Sequence, residues 1–328
     1  MEPSRKGNHM KFQNKIDFQA HYLPRAYYEF LEQEGLELPD GFPTPEWDEA
    51  GQQEAMAELG ISYALLSISS PSIYTTDQAR TKNLARRINE EGAEIVSRAP
   101  RNLGFLATLP LPYVQDSVQE ACYCLDQLHA GGVGLMTNYG GVYLGNPKLD
   151  ELMAALNERH ALAVLHPTQP AILIPNVNEE IPVPAFEYFV ETTRAFLNMV
   201  QHDTFSRYPN IKWVIPHGGA FLSILVDRFE SFALMLRFMD PDRRVDMMAD
   251  MAHVYYDVAG FSEQKQIEML LRNVDESHLL YGSDTPYTDI SACIGQAKAL
   301  ENTNKLTPQQ KQMLFTDNAK LLLPNLNI

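Results

Sequence analysis

The chain has 328 residues, 45% of them hydrophobic, and a formal net charge of −16 at pH 7. This length suits one large α/β domain or two smaller ones, and the acidic balance without a basic run argues against a nucleic acid partner. The sequence contains no stretch of 18 apolar residues, so we predict no membrane span. Cys122, Cys124 and Cys293 form an odd set, typical of core packing, so we expect a reduced, cytoplasmic protein.

The first ten residues, "MEPSRKGNHM", lack the apolar stretch of a secretory signal. We interpret residues 1–10 as a disordered leader or an expression artefact. Residues 11–328 are then expected to form a single domain, because the elements predicted below continue to the end of the chain without a linker.

Short apolar runs bounded by glycine, proline or polar turns recur along the whole domain. Most of them are nearly continuous in apolar residues, which is typical of parallel strands covered on both faces. The predicted strands span residues 15–21, 61–69, 103–110, 131–139, 162–168, 211–218, 253–260 and 278–286.

Helical patterns separate these strands. The clearest begins with Thr44 as the N-cap and Pro45 at the first helical position, and it ends at Gly60. Further helices are predicted within 75–92, 116–132, 148–160, 185–200, 218–239, 262–274 and 307–323.

Eight strands alternating with helices predict an α/β fold of the (β/α)8 TIM-barrel type. A doubly wound open sheet is the alternative, but the usual phosphate-binding glycine motifs of that fold are missing from the sequence. The connections after the first and fifth strands are longer than a barrel helix needs. We therefore predict insertions there that form lids or dimer surfaces.

Polar side chains stand at the end of four predicted strands, where the chemistry of a barrel is located. Each has a purely structural alternative, as a buried histidine or a turn residue, but their matched placement favours one common site. Imidazole and carboxylate groups together fit a divalent metal with an open coordination position. The residues are Gln19 and His21 on strand 1, His166 on strand 5, His217 on strand 6 and Asp284 on strand 8.

The motifs "LHPT", "TNYGGVYLGNP", "RYPNIKWVIPHGGAFL" and "LLYGSDTPY", in this order, resemble the amidohydrolase superfamily. The resemblance is to the branch that contains aminocarboxymuconate-semialdehyde, γ-resorcylate and 6-methylsalicylate decarboxylases. It implies a homodimer or larger assembly and one divalent metal, zinc first and manganese second. Carried over to this chain, the metal ligands are His21, His166, Asp284 and the residue at position 19, and His217 is an acid or base beside the metal.

Gln19 departs from this resemblance, because the family has His or Glu at its position. A neutral amide oxygen is a weaker zinc ligand than imidazole or carboxylate. Three protein ligands can still form a catalytic site, so we expect weaker metal binding with a preference shifted toward harder ions.

The resemblance favours a metal-dependent decarboxylase of an aromatic or unsaturated carboxylic acid, a small molecule. The metal would bind the substrate carboxylate and a neighbouring oxygen, and Asp284 would protonate the carbon that loses the carboxylate, while His217 holds the substrate or steers the proton. Side chains expected to bind the substrate, by stacking or by pairing a second carboxylate, are Tyr74, Tyr139, Tyr143, Arg80 and Arg194.

Two further functions stay open at this point. The same residues could activate a water molecule and hydrolyse an ester, lactone or amide, since a fold alone does not determine the reaction. Because of Gln19, the chain could also be a metal-free binding protein that keeps the barrel without the chemistry.

Overall fold

A computed structural model of the protein describes residues 10–239, 245–263 and 265–323. Within these ranges a single sheet contains eight parallel strands in chain order. The sheet closes where the Phe18 amide donates to the Tyr281 carbonyl oxygen at 2.9 Å. The predicted TIM barrel is thereby confirmed. Its strands are β1 (Lys15–His21), β2 (Ile61–Ser67), β3 (Leu103–Thr108), β4 (Gly132–Met136), β5 (Leu162–His166), β6 (Lys212–Ile215), β7 (Tyr255–Asp257) and β8 (Leu279–Leu280).

Helices cover the outside of the barrel, and a short antiparallel ladder of Asn138–Tyr139 with Val142–Tyr143 follows β4. The helices are α1 (Arg25–Gln33), α2 (Glu49–Leu59), α3 (Gln78–Arg98), α4 (Val114–Asp126), α5 (Asp150–Glu158), α6 (Val183–Gln201), α7 (Thr204–Arg207), α8 (Leu222–Met239), α9 (Met247–His253), α10 (Gln266–Leu270), α11 (Ile290–Asn302), α12 (Pro308–Gln312) and α13 (Asn318–Leu322).

The core has two parts, as the alternating faces of barrel strands require. One cluster fills the barrel interior and includes Phe18, Leu106 and Val164. The larger cluster lies between strands and helices and includes the fully buried Trp213. Burial of these two apolar layers holds the strand ends in a fixed arrangement.

Strand β1 contains an irregularity that matters for the site. Between Asp17 and Ala20 the strand advances three residues while β2 advances two, from Ala64 to Leu66. This bulge changes which side chains point inward, so that Phe18 and Gln19 both line the same cavity.

The predicted start of helix α2 is wrong. The helix begins at Glu49, and its N-cap is Asp48, whose carboxylate accepts from the Gly51 amide at 2.7 Å. An aspartate with this geometry satisfies a free amide of the first turn, which the predicted cap at Thr44 does not do. The predicted end is correct, with Gly60 in the left-handed conformation.

The two long connections, residues 22–60 and 167–211, meet through Asp40. Its carboxylate accepts from the Tyr188 hydroxyl at 2.9 Å and from the Gln169 amide at 3.2 Å. These contacts tie one connection to the other next to the strand ends, since the Tyr188 ring lies edge-on to His166.

Of the predicted leader, only Met10 lies within the described residues, and its side chain is buried in the core. All three cysteines are free thiols. No helix in the described part of the chain is long and apolar enough to cross a membrane. The cytoplasmic location stays a prediction.

Candidate active site

The four predicted strand-end groups converge at one mouth of the barrel. The Nε2 atom of His21 lies 3.2 Å from the Asp284 Oδ1 atom. The ring of His166 lies edge-on to the His21 ring with centroids 4.9 Å apart, and the His217 ring is 6.4 Å from that of His166. Parallel strands end at the same edge of a barrel, which explains why residues so distant in sequence meet here.

Both His21 and His166 are held by hydrogen bonds at Nδ1. His166 Nδ1 is 2.6 Å from the Pro167 carbonyl oxygen, and His21 Nδ1 is 3.3 Å from the Ser67 carbonyl oxygen. A carbonyl only accepts, so the His166 Nδ1 atom carries the proton and its Nε2 atom presents a lone pair. The His21 Nδ1 atom also lies 3.2 Å from the Ser67 hydroxyl, which is able to donate to it. Burial and the neighbouring His21 and His217 rings hold the pKa of His166 well below its usual range.

Asp284 follows β8 in a left-handed backbone conformation, with φ of 66°. Its amide donates to the Gln19 carbonyl oxygen at 2.7 Å, and its Oδ2 accepts from the Thr288 hydroxyl at 2.7 Å. Burial opposes ionisation of the carboxyl, but the adjacent His21 and His217 rings and the Thr288 hydroxyl outweigh it and lower the pKa of Asp284 to about 2. The group is therefore a carboxylate at neutral pH.

The donor atoms fit a divalent metal by their chemistry, although no three His, Cys, Asp or Glu side chains of the described residues stand in a preformed metal-binding arrangement. The His21 Nε2 atom is buried and lacks a hydrogen-bond partner among these residues. It faces the Asp284 Oδ1 atom at 3.2 Å. A cation between the two atoms would satisfy both, with His166 Nε2 as a third donor.

His217 follows β6 in a left-handed conformation with φ of 54°, continued by Gly218 and Gly219 at positive φ. Its ring stacks on Phe189, with centroids 5.9 Å apart and planes 18° from parallel. Its Nδ1 atom is buried without a hydrogen-bond partner among the described residues. Burial lowers the pKa of His217, so the ring is neutral at neutral pH.

Sequence reasoning missed Asp257, which ends β7 at the same edge of the barrel. The residue is fully buried, and its Oδ1 accepts from the backbone amides of His217 at 3.1 Å and Ala259 at 3.2 Å. Burial raises the pKa of Asp257 to about 8. The signal was present, since Asp257 ends its strand in the same way that His166 ends β5.

A cavity opens beside His21 and His166 and continues into the barrel. Its wall is mostly apolar and includes Phe18, Leu106, Met136, Tyr139 and Val164. An apolar wall with a few polar groups at one end is the kind of lining that small-molecule binding sites have.

Of the five predicted substrate-binding residues, only Tyr139 lines this cavity within the described part of the chain. Tyr139 is buried, and its hydroxyl accepts from the Met136 amide at 2.9 Å. Tyr74 packs on the backbone at Gly140, where an added Cβ would lie 2.5 Å from its ring. Its role in substrate binding stays a prediction.

The remaining three predicted residues are engaged with protein groups. Tyr143 donates to Glu191 at 2.7 Å, and Arg194 forms an ion pair with the same carboxylate. Arg80 pairs with Glu34 at 2.5 Å, where α3 meets the end of α1. Substrate contacts of these residues stay predictions.

Comparison with known proteins identifies the family to which the chain belongs. The sequence profile of the Amidohydrolase family matches residues 16–324. The chain belongs to the amidohydrolase family. This member is 31% identical over 323 residues to the 6-methylsalicylic acid decarboxylase acuB of Aspergillus aculeatus, an alignment that covers 95% of this chain and 96% of that protein.

Solved structures of amidohydrolases share its architecture. A crystal structure of an amidohydrolase II is 42% identical and superposes with a TM-score of 0.90 over 95% of this chain and 100% of that one. The dihydroxybenzoic acid decarboxylase of Polaromonas, solved with manganese and 2-nitroresorcinol, is 18% identical with a TM-score of 0.79, covering 97% and 98% of the two chains. At that identity the likeness concerns the fold alone.

These relatives identify the chain as an enzyme of the amidohydrolase type, and they favour decarboxylation over hydrolysis. A binding protein without chemistry, the third possibility in the sequence, is not supported by them. The resemblance to the decarboxylase branch is confirmed.

Proposed function

We propose that this amidohydrolase is a metal-dependent decarboxylase of an aromatic acid that carries a hydroxyl next to its carboxylate. The observation that carries the proposal is the meeting of His21, His166 and Asp284 beside an apolar cavity. The similarity to a 6-methylsalicylic acid decarboxylase supports the substrate class.

His21, His166 and Asp284 would hold the metal, through two imidazole nitrogens and one carboxylate. This donor set suits zinc, and manganese is the alternative that the Polaromonas structure suggests. When bound, the metal supplies a Lewis acid for the substrate carboxylate and the adjacent hydroxyl oxygen.

Asp284 would move the proton that decarboxylation requires. Because its pKa lies near 2, it is ionised at neutral pH and must take up a proton before it can deliver one. The substrate hydroxyl is the source. As the bond between ring and carboxylate breaks, its electron pair stays on the ring carbon, which takes the proton from Asp284 while carbon dioxide leaves.

The neutral His217 would orient the substrate, stacked in place by Phe189. The apolar wall formed by Phe18, Leu106 and Val164 would hold the ring and keep water from the reacting carbon.

The enzyme would act as a homo-oligomer. Exposed large apolar side chains are concentrated in the segment 172–181 and in helix α8. Exposed apolar patches of this kind are typical of protein interfaces. The side chains are Ile172, Leu173, Ile174, Val177 and Ile181 in the segment, and Ile224, Phe232, Leu234, Met235, Phe238 and Met239 in the helix.

The first test is metal content and product formation in one preparation. Protein purified without added metal or chelator is analysed for metal, then incubated with 6-methylsalicylate labelled in its carboxylate carbon. We expect close to one metal per chain, labelled carbon dioxide, and in heavy water one deuterium on the carbon that lost the carboxylate.

His166→Asn should remove both the metal and the activity. The matched control is His160→Asn, an exposed histidine whose left-handed φ of 49° asparagine tolerates. Absence of metal after reconstitution with zinc or manganese would contradict the proposal. So would a parent protein that binds metal and hydrolyses esters but releases no carbon dioxide.

A further inference from the structure

The Gln19 side chain lies between His217 and Asp257. One end of its amide is 2.9 Å from the His217 Nε2 atom, and the other is 2.7 and 2.9 Å from the two Asp257 carboxylate oxygens. The orientation with the amide nitrogen toward Asp257 and the amide oxygen toward His217 satisfies both ends of the amide, because the nitrogen donates to the Asp257 oxygens and the oxygen accepts from His217 Nε2.

The orientation of this amide determines which nitrogen of His217 carries the proton. With the Gln19 oxygen as acceptor, the proton lies on Nε2, and the buried Nδ1 atom is left with a free lone pair. Asp257 is itself fixed, since its Oδ1 accepts from the His217 and Ala259 amides. The hydrogen bonds therefore form one chain: backbone amides donate to Asp257, the Gln19 nitrogen donates to Asp257, and His217 Nε2 donates to the Gln19 oxygen.

Close packing of the neighbouring backbone holds Gln19 next to Asp257 and His217. At Gly282, which follows β8, an added Cβ would lie 2.9 Å from the Gln19 Cβ and 3.3 Å from an Asp257 oxygen. Only glycine lets the three strands approach so closely. The bulge in β1 between Asp17 and Ala20 brings Gln19 to this position.

We propose that Gln19 is a positioning residue, whose amide joins Asp257 to His217 and holds the His217 proton on Nε2, rather than a weakened metal ligand. A glutamate at this position could accept from His217 but would have no N–H group to donate to the Asp257 oxygens. The consequence for catalysis rests on the proposed decarboxylase function, but the position of the proton on His217 does not.

The variant Asp257→Asn tests the order of donors without changing a metal ligand. The asparagine oxygen would stay on the two backbone amides, and its nitrogen would take the place of the oxygen 2.9 Å from the Gln19 nitrogen, where two donors would face each other. Turning over the Gln19 amide removes this conflict, because its oxygen then accepts from the asparagine and its nitrogen donates to His217 Nε2, which moves the ring proton to Nδ1. The double variant Gln19→Glu with Asp257→Asn restores the original order, because the glutamate accepts from both the asparagine nitrogen and His217 Nε2.

The readouts are the tautomer of His217, from ¹⁵N chemical shifts of the labelled ring, together with metal content and the separate values of kcat and KM. We expect Asp257→Asn to reverse the tautomer and lower kcat by about 10- to 100-fold at unchanged metal content, the usual effect of losing such a supporting group. The double variant should recover the parent tautomer and most of kcat.

The proposal is overturned if Asp257→Asn keeps the parent tautomer. It is also overturned if Gln19→Glu alone raises both metal content and kcat, since a ligand role predicts that result. If the parent releases no carbon dioxide from any hydroxybenzoate, the proposed function fails, while the tautomer of His217 in the two variants still decides this inference.

Discussion

The buried ion pair at the opposite end of β1 offers a sharp test of what anchors the site-bearing strand. Lys15, the first residue of β1, donates to Glu301 of α11 at 2.8 Å, and their side chains are 0% and 2% exposed. The ammonium also donates to the Phe12 and Leu59 carbonyl oxygens, at 2.7 and 2.8 Å. Glu301 in turn accepts from the Lys11 amide at 2.9 Å. Every donor and acceptor of the pair is therefore occupied.

Replacing Glu301 by glutamine leaves the Lys15 charge buried and uncompensated. Removal of one partner from a buried pair costs about 3–5 kcal/mol of unfolding free energy. Glutamine keeps one acceptor oxygen, and two carbonyl oxygens still accept from Lys15, so we expect a loss of about 3 kcal/mol. The control is Glu268→Gln, which breaks an exposed pair with Arg272 and should cost about 0.5 kcal/mol or less.

Urea unfolding followed by tryptophan fluorescence measures both losses, and the pH dependence checks their origin. Burial opposes ionisation of Glu301, but the hydrogen bonds from Lys15 and from the Lys11 and Phe12 amides outweigh it and lower its pKa. A carboxyl whose pKa is lower in the folded state stabilises above its unfolded pKa of about 4.3 and loses that contribution as the pH falls. The difference between parent and Glu301→Gln should therefore be full at pH 7 and narrow below about pH 4. A Glu301→Gln loss no larger than that of Glu268→Gln would refute the reasoning.

Two further outcomes are expected. Tyr188→Phe removes the hydroxyl that joins the two long connections at Asp40. Hydrogen exchange in 167–182 should therefore become faster, while exchange in β1 stays unchanged. Equal exchange rates in the parent and the variant would contradict a stabilising role of this hydrogen bond. Sedimentation velocity should show a species larger than the 37.1 kDa chain. The Phe238 side chain is 91% exposed, and Phe238→Glu should shift this species toward the monomer. A parent protein that sediments as a monomer would contradict the proposed interface.

The barrel could be predicted because burial on both faces leaves a direct trace in the sequence. Each predicted apolar run contains one strand of the sheet. The strand ends were less predictable. The run 278–286 contains only Leu279–Leu280 as strand, and the run 211–218 contains Lys212–Ile215. The excess residues belong to turns in which His217 and Asp284 adopt left-handed conformations, which end the pairing and aim these side chains into the mouth.

The convergence of His21, His166, His217 and Asp284 could be expected from position alone, because strand ends of a barrel meet at one edge. The same rule applies to Asp257, which ends β7 within "HVYYDVAG" and carries the same positional signal as His166. Neither the bulge in β1 nor the Nδ1 contacts of His21 and His166 have a sequence signal, because both depend on the local course of the folded backbone.

Gln19 is the position at which the resemblance and the proposed positioning role differ. Compared with glutamate or histidine, a glutamine at position 19 is a weaker metal ligand, and the sequence alone suggests no other role for it. In the folded chain its amide meets a carboxylate on one side and an imidazole on the other, and only a group with both a donor and an acceptor satisfies the two. A glutamate would accept from His217 but would have no N–H group to donate to the Asp257 oxygens. The identity of residue 19 is thus coupled to residue 257, and the two positions must change together if the proton of His217 is to stay in place.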